Sequence, residues 1–185
     1  MDSCNNMDQN SNNDFGVTFV GKQFSSELNE KGDTYLGQFL NGTKHGKGKI
    51  SHTNGDIYEG EWNFGKKNGQ GVLKHSNGIT FIGKWDNDNF IKGTIKWPDG
   101  KIYNGDYDGI GKGRHGYGTF SKINKYNKSQ SEIDNSYGTY TGQWKNDMKN
   151  GTGRMMWEDG IVYEGSWVND KMSGKGTFII PNKET

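Results

Sequence analysis

Few side chains in this chain could do chemistry, and their spacing argues against it. Of the 4 His, His52 and His75 each stand 17 residues after a Tyr, at Tyr35 and Tyr58. Two ligands of one metal ion must lie within a few ångströms of each other. Equivalent positions in a strand array stand two strands apart, about 9–10 Å, so this pair predicts no metal site. His45 and His115 each precede a Gly and read as hairpin-tip residues. Gly111-Lys112-Gly113-Arg114-His115-Gly116 fits Gly-x-Gly-x-x-Gly, whose glycines let a dinucleotide phosphate approach a helix start. Here it falls in a hairpin tip rather than between a strand and a helix, so that reading fails its context. The chain has no Gly-x-Ser-x-Gly elbow, no phosphate loop ending Gly-Lys-Ser/Thr, no His-Glu-x-x-His and no His-Arg-Asp loop. The single Cys4 sits in a polar tail, which excludes a disulfide framework or a Cys-ligated ion. The expectation is a non-catalytic chain with no cofactor and no metal.

The composition says what kind of scaffold carries these residues. Hydrophobic residues make up only 29% of the 185, yet aromatics reach 13%, with 6 Trp, 9 Tyr and 9 Phe beside 30 Gly. Ala is absent, and the only Leu are Leu28, Leu36, Leu40 and Leu73. A helical bundle lacks its usual filler. A collagen-like chain is excluded by 2 Pro and no period of three. Disorder goes with high net charge and few aromatics, whereas the net charge here is +1. A thin, Gly- and aromatic-rich β structure remains. No apolar run has the length of a membrane helix, the N-terminus has no signal-peptide pattern, and Asp2 stands where myristoylation needs Gly. A cytoplasmic location is expected.

A repeat organises the whole chain. An aromatic, a Gly two later and an aromatic four later recur as Tyr35-Gly37-Phe39, Tyr58-Gly60-Trp62, Phe81-Gly83-Trp85, Tyr103-Gly105-Tyr107, Tyr140-Gly142-Trp144 and Tyr163-Gly165-Trp167. A Gly-x-Gly follows each, except that the third copy keeps only Gly93. A further Gly (Gly55, Gly78, Gly100, Gly138, Gly160) closes each unit as a tight turn. Residues two apart share one face of a strand, so Tyr58, Gly60 and Trp62 line one face while Glu59 and Glu61 point away. Each unit reads as a β-hairpin that is marginal alone and stable when stacked. Six would extend roughly 55–60 Å.

The predicted organisation is therefore all-β: an elongated, twisted antiparallel sheet of tandem hairpins over residues 32–181. Residues 1–14 are Asn/Asp-rich and expected to be a disordered tail. Residues 15–31 read as a degenerate capping segment, and 182–185 as a short tail. The Ser/Asn/Lys-rich stretch 121–137 reads as a flexible insertion.

The pattern Tyr-x-Gly-x-Trp, Gly-Lys-x-x-Gly-x-Gly, then Asp-Gly resembles the MORN (membrane occupation and recognition nexus) repeat. The best copy runs from Tyr58 through Trp62, Gly65-Lys66 and Gly69 to Gly71. The resemblance implies an antiparallel hairpin array used as an interaction module in cytoskeletal, membrane-junction and ciliary proteins and in plant lipid-kinase extensions. It implies protein binding, phosphoinositide binding or dimerisation. The chain departs from the pattern where Asp88, Asp147 and Asp170 replace the hairpin Gly.

The leading expectation is a scaffold that holds a helix or extended peptide of a protein partner in an aromatic-lined groove, at a membrane or cytoskeletal structure. Its floor would be Tyr35, Phe39, Tyr58, Trp62, Phe81, Trp85, Tyr103, Tyr107, Tyr140, Trp144, Tyr163 and Trp167. The alternatives are direct binding of anionic phospholipid and an accessory role beside an enzyme such as a lipid kinase. For lipid, the six hairpin-tip segments together carry +8 against +1 for the whole chain, and a basic edge attracts anionic headgroups. The candidate residues are Lys44, Lys66, Lys67, Lys112 and Lys149. In the third tip Phe90 and Ile91 replace the usual polar residues and are a candidate apolar contact. Nucleic acid is not an expected partner, because the aromatics read as packing residues. An exposed edge strand would allow a homodimer.

Overall fold

The computed structural model describes residues 23–109, 113–122 and 138–181. Every regular element among them is a strand: β1 (Gln23–Leu28), β2 (Thr34–Leu40), β3 (Thr43–Ser51), β4 (Ile57–Asn63), β5 (Lys66–Lys74), β6 (Thr80–Asp86), β7 (Asn89–Lys96), β8 (Ile102–Asp108), β9 (Gly113–Lys122), β10 (Gly138–Lys145), β11 (Met148–Trp157), β12 (Val162–Val168) and β13 (Lys171–Ile179). They pair in chain order into one open sheet. Each pairing is antiparallel, as in β2 with β3 and β4 with β5. This is the tandem hairpin array that the repeat spacing predicts.

Turn chemistry sets the hairpins. The tips after β2, β4, β6, β10 and β12 are two-residue turns with both residues left-handed: Asn41-Gly42, Phe64-Gly65, Asn87-Asp88, Asn146-Asp147 and Asn169-Asp170. Such turns match the twist of paired strands, and Asn, Asp and Gly tolerate that backbone best. Between hairpins within the described residues the chain turns through a link of four or five residues. In one, His52 N–H donates to the Asp56 carbonyl and Gly55 N–H to the His52 carbonyl.

A line of glycine crosses the sheet. Gly37, Gly48, Gly60, Gly71, Gly83, Gly93, Gly105 and Gly118 are successive register partners from β2 to β9. Gly142, Gly153, Gly165 and Gly176 carry the line to β13. The line exists because tyrosines occupy it: a Cβ on Gly71 would overlap the Tyr58 hydroxyl and ring. The core is a layer of rings on that face, joined by Ile50, Leu73, Ile95 and Met155. Burying rings against glycine explains how a chain with four Leu and no Ala packs.

Some sequence boundaries shift. β9 continues through Lys122, two residues into the stretch 121–137, because Ser121 and Lys122 pair with Thr139 and Gly138. Gly138 opens β10 instead of closing a turn. β1, from the segment 15–31, pairs along β2. Residues 1–22, 110–112, 123–137 and 182–185 lie outside the described residues, with Cys4 and Lys112 among them.

Candidate functional site

The twelve repeat aromatics do line one face, and the face is closed. Tyr35, Tyr58, Trp62, Trp85, Tyr103, Tyr140, Trp144, Tyr163 and Trp167 are buried, while Phe39, Phe81 and Tyr107 are half-buried. Tyr35, Tyr58, Tyr103 and Tyr140 each meet a Trp of the next copy edge-on, with centroids 5.4 Å apart for Tyr35–Trp62 and Tyr58–Trp85, 5.7 Å for Tyr103–Trp144 and 5.3 Å for Tyr140–Trp167. Polar ends are satisfied within the array. Tyr58 Oη donates to the Glu61 carbonyl at 3.0 Å, and Trp62 Nε1 to the Gly48 carbonyl at 3.0 Å. Trp144 and Trp167 repeat the bond to Gly118 and Gly153. Burial pushes the Tyr35 and Tyr140 hydroxyls up to about 12, so they remain donors. This corrects the expectation of an aromatic groove floor. Nine of the twelve rings spend their surface on one another and leave little for a partner.

The tip cations are also turned inward. Lys44, Lys67 and Lys149 are each the cross-strand partner of the second aromatic of their own hairpin. Each Nζ lies over a Tyr of its own copy and a Trp of the next: Lys44 at 5.2 Å from Tyr35 and 5.4 Å from Trp62, Lys149 at 5.4 Å from Tyr140 and 4.8 Å from Trp167. Arg114 takes this place in the fourth copy, 4.1 Å from the Trp144 ring. Burial between rings lowers the pKa of Lys67 and of Lys149, opposed by Asp88 and Asp170 respectively. Of the five lysines considered for anions, Lys66 alone is exposed among those described.

The third copy fills the same slot with Phe90. It pairs with Trp85 across the hairpin and packs on Phe81, Trp85 and Tyr107, 5% exposed. Phe90 is therefore core, and the expectation of an exposed apolar contact there is corrected. With Phe81 in place of Tyr, an apolar ring suits the slot better than a cation. Ile91 is half-buried.

Tip aspartates clamp successive hairpins. Asp88 Oδ1 accepts from Lys67 N–H at 2.9 Å, while Asp88 N–H donates to the Lys67 carbonyl at 3.0 Å. Asp170 does the same to Lys149. Asp147 does it to Arg114, whose Nε also bonds its carboxylate at 2.6 Å. At the linking turns the two repeat histidines each meet an aspartate, His52 Nδ1 with Asp33 and His75 Nδ1 with Asp56, both at 3.1 Å. Asp33 accepts from Thr53 N–H and Asp56 from Ser76 N–H. These backbone donors, with Asn29 and His52 on Asp33 and His75 and Asn54 on Asp56, bring both carboxyls down to about 2. Among the described residues no group of three or more His, Cys, Asp and Glu is placed to hold a metal ion. The part of the Gly-x-Gly-x-x-Gly match that is described, Gly113–Gly116, is strand β9.

The open surface is the opposite face. A groove of about 890 Å³ runs across β2 to β6, lined by the apolar Leu36, Ile57, Val72 and Ile82 and by Lys47, Lys49, Lys74, Glu59 and Glu61. Cross-strand register explains the grouping: Leu36, Lys49, Glu59, Val72 and Ile82 are consecutive partners. They lie far apart in sequence, and no local pattern marks them. Leu36 is 49% exposed and Ile82 37%.

An open sheet of stacked hairpins, with a ring-packed face and a lined groove behind it, defines a solenoid-like repeat array. The MORN repeat model matches residues 35–57, 58–80, 140–162 and 163–185, and the chain belongs to the MORN repeat family. The unmatched third and fourth copies are those with Phe81, the Phe90 slot and the longer tip, yet they form the same hairpins. No curated protein matches the chain. Among solved structures, it overlaps the TCP domain of SAS-4 from Drosophila melanogaster, in complex with a proline-rich motif of Ana2, at 12% identity. That overlap covers 95% of this chain and 98% of the other, with a TM-score of 0.27. It also overlaps a catalytically inactive virginiamycin B lyase from Staphylococcus aureus at 10% identity, covering 91% and 73%, with a TM-score of 0.21. At these scores neither likeness bears on fold or function.

Proposed function

We propose that this chain is a scaffold that holds a protein partner in the groove across β2–β6. The family is generally a non-catalytic module associated with protein or membrane binding. The observation that carries the reading is the groove itself, about 890 Å³, with an apolar strip between Lys and Glu side chains. Its floor is held by the ring layer behind it, so little of it needs ordering on binding, which favours affinity. The strip suits an extended or helical segment whose apolar residues meet Leu36, Val72 and Ile82 and whose charged residues meet the flanking Lys and Glu.

Proximity labelling in the native cell names the partner, and titration of that purified partner tests the site. Leu36→Ser with Ile82→Ser removes the two most exposed groove hydrophobics whose exposure is 37% or more. It should weaken binding about tenfold with the melting temperature little changed. Unchanged affinity would remove the groove from the account.

A second reading, direct contact with anionic phospholipid, has one observation in its favour. The first two tip segments, 39–50 and 62–73, contain five Lys and no Asp or Glu. Lipid contact would weaken with salt, whereas capture in the apolar groove would tolerate it.

A further inference from the structure

The copies interlock by one rule, and β13 carries only half of it. In β3, β5, β9 and β11 the first glycine of Gly-x-Gly faces a tryptophan of the next copy: Gly46 with Trp62, Gly69 with Trp85, Gly116 with Trp144 and Gly151 with Trp167. Each of these indoles donates its Nε1–H to the carbonyl of the second glycine, Gly48, Gly71, Gly118 or Gly153, at 3.0 to 3.3 Å. Gly174 and Gly176 hold those two positions in β13, which ends the strand order and pairs with β12 alone among the described residues.

The side chains of this edge are left open. Phe178 is the register partner of Tyr163, as Met155 is of Tyr140 and Leu73 of Tyr58. Met155 and Leu73 are buried, whereas Phe178 is 55% exposed. Met172 stands in the slot that Lys67 and Lys149 fill against the next copy's tryptophan, and it is 46% exposed. Lys175, between the two glycines, holds the place of Lys47, which pairs across the sheet with Glu61. A second copy of this chain fits the edge poorly. Its β13 would bring Lys171 and Lys175 and no carboxylate, its β1 would bring Gln23–Leu28, and neither strand holds a tryptophan.

We propose that the outer side of β13 accepts an antiparallel strand of a partner protein, with a tryptophan opposite Gly174, an acidic residue opposite Lys175 and a small residue opposite Gly176. Main-chain bonds along an open edge supply affinity, and alternate side chains select the partner. The indole covers Met172 and Phe178, where thioether and ring contacts are both favourable. Its N–H reaches the Gly176 carbonyl as that of Trp62 reaches Gly48. The acidic residue answers Lys175 as Glu61 answers Lys47. This edge is separate from the groove across β2–β6, so either assignment can fail without the other.

A dye-labelled peptide of residues 57–63, Ile-Tyr-Glu-Gly-Glu-Trp-Asn, carries all three features and is the probe. Titrated with the full chain, its fluorescence anisotropy should saturate. The same peptide with Trp62→Ala should bind about tenfold more weakly. With Glu61→Lys it should also bind more weakly, by a margin that shrinks as salt is raised. Amide hydrogen exchange should slow across β13 on peptide binding and stay unchanged in β1. In the chain, Met172→Ala changes a half-exposed side chain, so it should melt close to the native protein while weakening the peptide severalfold. No saturable binding, equal binding of the tryptophan-free peptide, or protection confined to strands other than β13 would overturn the proposal. So would light scattering that shows a dimer whose β13 amides are already protected, which would give the edge to a second copy.

Discussion

The Lys67 ammonium lies 4.9 Å from the Trp85 ring centroid and 5.5 Å from that of Tyr58, so a side chain at a hairpin tip joins two successive repeats. Lys67→Ala removes the cation and the packing of its stem, and should cost about 1–2 kcal/mol in denaturant unfolding. Lys67→Met should cost less, since Met172 holds the matching place opposite Trp167. Equal losses for the two variants would argue that charge, not packing, dominates the slot.

The tyrosine–glycine line gives a second prediction. Gly71→Ala forces a Cβ against the Tyr58 hydroxyl and ring, an overpacking worth about 1–3 kcal/mol. Tyr58→Phe loses the bond to the Glu61 carbonyl, about 1 kcal/mol. Because removing the hydroxyl also relieves part of the overlap, the double variant should cost less than the sum of the singles. Strict additivity in chemical denaturation would show that the two sites do not share the space.

Asp88 separates backbone conformation from side-chain bonding. Asp88→Gly tolerates φ 71 and keeps the N–H bond to Lys67, as Gly65 does toward Lys44, but loses the Oδ1 acceptor. Its expected cost is about 1 kcal/mol. Asp88→Ala should lose roughly 1 kcal/mol more, because Ala is strained at a left-handed position. Thermal melts of both variants check the order, and Ala equal to Gly would contradict it.

Acid should loosen the linking turns. The folded pKa of Asp33 and of Asp56 is about 2, below the ordinary 3.8. Their contribution is thus complete above about pH 3.8 and is lost as pH falls through about 2. The variant Asp33→Ala with Asp56→Ala should be less stable at neutral pH and should lose less melting temperature than the native chain across that window. Parallel acid profiles would show that other carboxylates govern the response.

The fold was legible because its determinants are local and repeated: aromatic, Gly and aromatic at fixed spacing, with Asn, Asp and Gly at the turns. The use of individual side chains was less so. Lys44, Lys67 and Lys149 read as solvated tip residues, and only their cross-strand pairing with Phe39, Trp62 and Trp144 shows that they turn onto rings. That Phe90 shares their repeat position was available in the sequence, nine residues after Phe81 as Lys67 is after Tyr58. Because the lysines at that position read as solvated, this did not mark the ring as core; its pairing with Trp85 does. The groove was not legible, because Leu36, Val72 and Ile82 come from three strands and meet only through register.

Lysine footprinting of the chain with its purified partner tests the central claim most directly. If the groove across β2–β6 is the binding surface, Lys47, Lys49 and Lys74 should be protected from acetylation when the partner binds. The exposed Lys96, Lys145 and Lys171 should react as before. Protection confined to lysines outside the groove, with Lys47, Lys49 and Lys74 still reactive in the complex, would contradict the account.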